Sequence, residues 1–321
     1  MKILYIGESK THELYTQGVV PSHWLYGAVE MEKDGHEVIW CKESSSFLND
    51  MHCVCTSHPD LIFIPNFNIK SHLLLMFLSL CWIVRIPIYA YLHHAPKKGE
   101  GLKSFLYKLF LCRIKHIFFL SDLSMQETIE RGFAKKENCS VPGWGADINF
   151  YERVKTSDRG YFVSTGKENR DFDILIEAFR RTGAPLKILT AKSHAGNDYT
   201  NLTDKCKDIP NIEVVITENS GSIFPQMLEA MADAKALVCP LRQDRLDYCV
   251  GLSTIADAEG LCKPLIITRN PYHSAGRTST FDVVVTVEEW VAAINNVKRC
   301  TTNMAYSIQD AYVRMKQIMD I

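Results

Sequence analysis

Several signatures that would identify the chain's chemistry at once are missing. No Gly-x-Gly-x-x-Gly follows the first apolar run, where Ile6-Gly7-Glu8-Ser9-Lys10 stands instead, and no Gly-x4-Gly-Lys-Ser/Thr loop occurs. Those absences argue against a dinucleotide dehydrogenase and a P-loop nucleotide hydrolase. The eleven cysteines include no Cys-x-x-Cys pair, and Cys53 with Cys55 cannot alone close a zinc site. They read as reduced thiols of a cytosolic protein. An excess of one charge is lacking too: 36 Lys and Arg stand against 37 Asp and Glu, a formal net charge of −1. Nothing global therefore points to nucleic acid, although local basic patches remain open. The most apolar region, Leu73 to Leu92, is broken by Arg85 and Pro87 and reads as a helix and a strand rather than a membrane span. The opening MKILYIGES runs straight into an apolar strand without the core of a signal peptide, so secretion is not expected.

What is present is alternation. Short apolar runs rich in β-branched residues trade places with helical patterns along 321 residues, as in βα units that build parallel sheets. In the first half, strands are expected at Lys2–Ile6, Glu37–Cys41, Leu61–Pro65, Ile86–Leu92, His116–Ser121 and Cys139–Val141. Helices are expected between them at Pro21–Lys33, Lys70–Val84, Leu102–Cys112 and Leu123–Phe133. The period fails over Pro142–Asp158, where Gly, Pro and polar residues crowd together. Beyond it come strands at Gly160–Thr165, Leu186–Thr190, Glu213–Ile216, Ala236–Cys239, Pro264–Thr268 and Val283–Val285. Helices follow at Asp171–Arg181, Ile223–Ala232, Thr254–Leu261, Val287–Lys298 and Met304–Met319. Two α/β domains are expected, residues 1–150 and 158–300, with ligands at the carboxyl ends of their strands.

Two stretches of the second half have the chemistry of an anion site. Gly251 to Thr268 reads as a glycine turn, a helix and a strand, which presents first-turn N–H groups and a partial positive charge to whatever lies in front. Ser253 and Thr254 add hydroxyls there, and Asp257 lies about one turn on, in reach of a ligand's hydroxyls. An ordinary N-capped helix has the same local pattern. The second stretch is Ser164 to Asp171, which sets Lys167 and Arg170 in the loop after a strand, a point charge beside a bidentate fork. In the first half, Gly18 precedes the helix expected from Pro21, where it either aims N–H groups at an anion or simply makes a turn. His93 and His94 follow a strand, so at least one is expected at the edge of a cleft, suited to proton traffic.

Taken in order, these pieces make the chain resemble the GT-B glycosyltransferases of the family 4 type over most of its length. The matching residues are Gly166, Lys167, Arg170 and the helix Leu175–Phe179 (LIEAF), the hinge Pro142 to Phe150, and the glycine turn with the acidic helix running from Gly251 to Pro264. The resemblance implies two Rossmann-like domains facing across a cleft, an acceptor-side one and a nucleotide-sugar-binding one. It implies that the last helix, about 304–321, packs back on the first. It also implies a glycosyltransferase that moves a sugar from a nucleotide-diphosphate sugar to a hydroxyl of a glycan or lipid-linked acceptor, as in polysaccharide biosynthesis. The donor-binding set would be Lys167, Asn169, Arg170, Gly251, Leu252, Ser253 and Thr254; the catalytic candidates would be His93, His94 and Asp257; and Gly18 would line an acceptor-side loop. Side chains and a helix end would neutralise the diphosphate, so no metal and no other cofactor is expected. The chain departs from the pattern where Asp257 replaces the usual glutamate and Cys262 the usual glycine. A sugar-nucleotide epimerase of the same fold and a non-catalytic sugar-nucleotide-binding subunit are the rival readings.

Residues 97–115 interleave six basic residues with Phe105, Leu106, Leu109, Phe110 and Leu111. That pattern suits either a helix on an anionic membrane or a helix packed on the sheet. The expected place is the cytoplasm, with the inner face of a membrane as a candidate station.

Overall fold

The computed structural model describes residues 1–42, 48–97, 99, 101–194, 196–217, 221–297 and 306–321. These divide into two compact units, Met1–Gly145 with Ser307–Ile321, and Ala146–Tyr306.

In the first unit the chain runs β1 (Lys2–Ile6), α1 (Ser9–Thr16), α2 (Ala28–Lys33), β2 (Glu37–Cys41), α3 (Asn49–Ser57), β3 (Leu61–Ile64) and α4 (Leu73–Leu80). It continues with β4 (Ile88–Leu92), α5 (Leu102–Leu111), β5 (His116–Phe119), α6 (Asp122–Glu130) and β6 (Cys139–Ser140). The six strands form one parallel sheet in the order β2-β1-β3-β4-β5-β6. Because side chains alternate along a strand, β1, β3 and β4 feed two cores. Leu4, Ile6, Ile62, Ile64, Ala90 and Leu92 face α3, α4 and α5 on one side. Ile3, Tyr5, Leu61, Phe63, Tyr89 and Tyr91 face the other.

The second unit opens with α7 (Ile148–Tyr151), β7 (Phe162–Thr165), α8 (Phe172–Thr182), β8 (Leu186–Ala191), a hairpin of β9 (Ser193–His194) and β10 (Asn197–Asp198), α9 (Leu202–Cys206) and β11 (Ile212–Thr217). Then come α10 (Phe224–Ala232), β12 (Ala236–Cys239), α11 (Leu252–Gly260), β13 (Leu265–Thr268), α12 (Ala275–Thr278), β14 (Asp282–Val284) and α13 (Val287–Asn295). Its main sheet is again six parallel strands, ordered β11-β8-β7-β12-β13-β14, so the chain reverses direction beside β7 and β12. Finally α14 (Ile308–Met319) returns to the first unit. There it lays Tyr312, Met315 and Met319 on the second of the two cores. Tyr312 Oη and Lys316 Nζ both donate to Asp34 Oδ2, at 2.8 and 2.6 Å. Gly27 (φ +93°) opens α2 directly beneath it, where a Cβ would lie 3.6 Å from the Tyr312 ring.

Three local expectations change. The helix expected over Pro21–Lys33 is a short 3-10 turn, Ser22–Leu25, then α2, because Tyr26 and Gly27 both take positive φ between them. α7 lies in the second unit rather than at the end of a domain 1–150. Cys41 and Cys53 are not free thiols but a disulfide, since β2 ends where α3 passes, with Cα atoms 6.0 Å apart. The eight other described cysteines are free. Met304 and Lys298, expected in the last two helices, lie outside the described residues.

Candidate functional site

The two stretches singled out in the second half of the sequence meet in space. Gly251 caps α11 in the left-handed region (φ +91°), and a Cβ there would stand 3.3 Å from both Cys239 Sγ and Leu241 Cδ1, so only glycine lets the turn pass this close to the end of β12. The helix then starts at Leu252, with Ser253 exposed and Thr254 buried in its first turn. Opposite, Gly166 (φ +98°) turns the chain off β7. A Cβ on Gly166 would fall 2.5 Å from Arg170 Nη2, so the glycine makes the space in which that guanidinium folds back under its own loop.

Arg170 is the joint between the halves. It is only 3% exposed. Its Nη1 donates to the Glu168 carbonyl at 2.8 Å, and its Nη2 to the Thr165 carbonyl at 3.3 Å and to Thr254 Oγ1 at 3.2 Å. The loop backbone is held as well: Arg170 N donates to Tyr199 Oη at 3.1 Å, and Asn169, at φ +50°, donates through Nδ2 to the Arg242 carbonyl at 3.3 Å. Asn169 Oδ1 and Arg170 Nε are buried with no partner among the described residues. Arg170 therefore fastens the loop to the first turn of α11 rather than standing in solvent, while Lys167 is half-buried and Ser253 exposed. Burial holds the Lys167 ammonium below the usual lysine range, partly offset by Glu168. His194, on β9, is pulled down by burial and then by the Lys167 charge. Leu252 is 8% exposed and serves packing.

Asp257 is buried, and its carboxylate accepts from Tyr151 Oη at 2.5 Å. Burial pushes its pKa up to about 7, against the Tyr151 hydrogen bond and the Arg170 charge, which pull it down. Its hydrogen-bond partner is thus Tyr151 of α7. Tyr151 itself lies on Gly260, where a Cβ would come within 2.2 Å of the ring. Glu259, the next acid, accepts from Arg277 Nε at 2.8 Å and Nη2 at 2.5 Å, a buried pair capped by the Tyr306 ring 4.7 Å from the guanidinium. Tyr151 and Arg277 were not legible as site residues. The one available signal was Gly260, a glycine inside a helical pattern, which marks a close approach by something.

Asp171, Phe172 and Asp173 form an Asp-x-Asp triplet, a spacing known for metals, but both acids are otherwise employed. Asp171 caps α8 by accepting from Ile174 N, and Asp173 pairs with Lys205 at 2.7 Å. Among the described residues no group of three or more His, Cys, Asp or Glu could hold a metal ion.

In the first unit, His93 is half-buried and His94 exposed. His93 Nε2 stands 3.0 Å from the Pro65 carbonyl, which can only accept, so the neutral ring carries its proton on Nε2. Burial drops its pKa to about 4. It is therefore neutral at physiological pH and a weak base. Beside it lies an aromatic group of Tyr26, 5.4 Å away between ring centroids, and Trp144, whose Nε1 donates to the His23 carbonyl. Gly18 does not open a helix: it follows α1, and its N–H donates to the Tyr15 carbonyl at 2.8 Å, so that donor is not offered to an anion. Gly27, not Gly18, opens the helix that follows, α2.

No family model and no curated protein matches the chain. Among solved structures it is similar to AviGT4, a glycosyltransferase involved in avilamycin A biosynthesis, with a TM-score of 0.65 and 10% identity over 100% of this chain and 97% of that one. It is also similar to the UDP-GlcNAc 2-epimerase of Neisseria meningitidis bound to UDP-GlcNAc, with a TM-score of 0.57 and 10% identity over the full length of both chains. At such identities the likeness speaks for architecture. Two Rossmann-like units, each built on six parallel strands and followed by a helix that returns to the first, make this a GT-B fold.

Proposed function

We propose that the protein binds a nucleotide-diphosphate sugar on its second unit and transfers the sugar to a hydroxyl of a glycan or lipid-linked acceptor. The observation that carries this reading is the Arg170–Thr254 contact, which sets the Lys167 loop and the first turn of α11 side by side. Lys167, the Ser253 hydroxyl and first-turn N–H groups then converge from two elements, as a leaving diphosphate requires. Arg170 keeps this arrangement rigid, and Asn169 and Gly251 shape its two loops. No metal is needed for such neutralisation, and the departing phosphate oxygen can take the acceptor's proton in a retaining transfer. If the reaction inverts instead, exposed His94 is the candidate base, since burial makes His93 a weak one. The structure neighbour that binds UDP-GlcNAc favours UDP as the nucleotide. Such a protein would work in the cytoplasm, in polysaccharide assembly, and at a membrane face when the acceptor is lipid-linked.

A thermal-shift titration with UDP-, GDP- and ADP-sugars tests the site, because a ligand of the folded state raises the melting temperature. Lys167→Ala is expected to weaken binding by about 10- to 100-fold, the loss of one charge-assisted contact. Arg170→Lys keeps the charge but loses the fork and is expected to weaken binding as well. Unchanged binding in both variants would overturn the assignment. The epimerase reading rests on the full-length likeness to the Neisseria enzyme. Turnover of a sugar nucleotide with no acceptor present would select it over transfer.

A further inference from the structure

We infer that the first unit docks on an anionic lipid bilayer through the outer faces of α4 and α5 and the Cys81–Val84 turn between α4 and β4. The inference rests on the transfer reading only for its purpose, since the surface is argued from this unit alone.

Three independent observations meet there. The first is charge. Residues 61–121 contain Lys70, Arg85, Lys97, Lys98, Lys103, Lys108, Arg113 and Lys115 against Glu100 as the only acid, in a chain whose net charge is −1; of these Lys115 lies over the Tyr89 ring, on the other side of the sheet. The second is exposure: of the large apolar side chains left in solvent, Leu73, Phe77, Trp82, Ile83, Leu102 and Phe105 all belong to this segment, with Ile83 67% and Leu102 72% exposed. α4 and α5 pack as neighbours on one side of the sheet, where Leu75, Met76, Phe110 and Leu111 are buried in a common core. The faces opposite those residues therefore look into the same solvent. Leu73 and Phe77 lie one turn apart on α4, and Leu102, Phe105 and Lys108 follow one stripe of α5.

The third observation is strain. Trp82 holds φ +60°, a left-handed conformation that is costly for a bulky side chain, yet its ring is 63% exposed and fills no core. Two cations flank it: Arg85 Nε donates to the Trp82 carbonyl at 3.1 Å, and the Arg113 guanidinium stacks 4.5 Å from the ring centroid while its Nε donates to Ser79 Oγ at 3.4 Å. An amphipathic ring at the tip, apolar residues around it and a basic rim match the layering of an anionic headgroup region over acyl chains. A nucleic acid would reward the charge but not the apolar tip. An apolar protein groove would reward the tip but not the basic rim. No described helix is long and apolar enough to cross a membrane, so the contact is interfacial.

The test is sedimentation of the full chain with phosphatidylcholine vesicles containing about 30% phosphatidylglycerol, beside vesicles of phosphatidylcholine alone, with no sugar nucleotide present. The anionic vesicles are expected to bind at least about tenfold more tightly, and added salt to weaken them. Ile83→Ser with Leu102→Ser and Phe105→Ser is expected to lose about tenfold or more, whereas Val313→Ser, at another exposed apolar residue, on the opposite side of the sheet, leaves binding unchanged. The melting temperature and the sugar-nucleotide thermal shift of each variant are expected to match the wild type, which separates failure here from failure of the donor site. Equal binding to both vesicles, an equal loss in Val313→Ser, or a dimer that the triple variant dissolves would overturn the inference.

Discussion

At Asp257, burial and hydrogen bonding pull in opposite directions. The buried carboxyl keeps its proton up to about pH 7, whereas in the unfolded chain it loses it near 4. Between those values the native state holds the extra proton, so the stability contributed is full below about pH 4 and is lost as pH rises through about 7. Asp257→Asn removes that slope. Urea midpoints taken from pH 4.5 to 7.5 are expected to fall for the wild type relative to the variant, by on the order of a few kcal/mol across the window. His93 and His273, both depressed to about 4, slope the other way and cancel in the difference. Tyr151→Phe deletes a hydrogen bond that lowers the Asp257 pKa, so its window moves to higher pH. The neighbouring Gly260 gives a second expectation. Alanine is the better helix former by about 1 kcal/mol, but here its Cβ would meet the Tyr151 ring. Gly260→Ala is expected to cost about 1–3 kcal/mol, and to become neutral or stabilising in a Tyr151→Leu background, as a double-mutant cycle would read.

Elements differ in how legible they are, for physical reasons. Lys2–Ile6, Glu37–Cys41 and Ala236–Cys239 carry the same bounds in the sequence and in the structure; the first and last are interior strands whose apolar residues are buried on both faces, while Glu37–Cys41, at the sheet's edge, is marked by its run of Val, Ile and Trp. α1 and α3 escape notice: SKTHELYT and NDMHCVCTS are largely polar, half-exposed and uncapped by side chains, so no stripe announces them. The loop glycines and cations of the candidate site were visible as residue types, but the inward turn of Arg170 was not, since a loop has no period from which direction can be read. Nor could spacing reveal that Cys41 and Cys53 meet. α14 was visible through its 3.6-residue stripe. Met315 in that helix is fully buried, and Tyr91 Oη donates to its sulfur at 3.2 Å. Met315→Ala is expected to destabilise the first unit by about 2–4 kcal/mol. Amide exchange should then quicken in β1, β3 and β4 while residues 146–306 keep their protection.

At the scale of the whole molecule, each unit has a core of its own, but only one is continuous in sequence. The segment 146–306, made alone, is expected to unfold cooperatively in urea. Residues 1–145 made alone would expose Tyr89, Tyr91 and Met31 and are expected to aggregate, unless 307–321 is supplied through a short linker. A non-cooperative 146–306 fragment, or a well-behaved 1–145 fragment, would contradict the division drawn here.

The return of α14 also fixes an order of events on the ribosome. The first 145 residues emerge early but lack the helix that covers one face of their sheet, and the 161 residues of the second unit must be translated before that helix exists. The part made second can thus finish folding first, while the part made first waits with an apolar face open, available to a chaperone until that helix emerges.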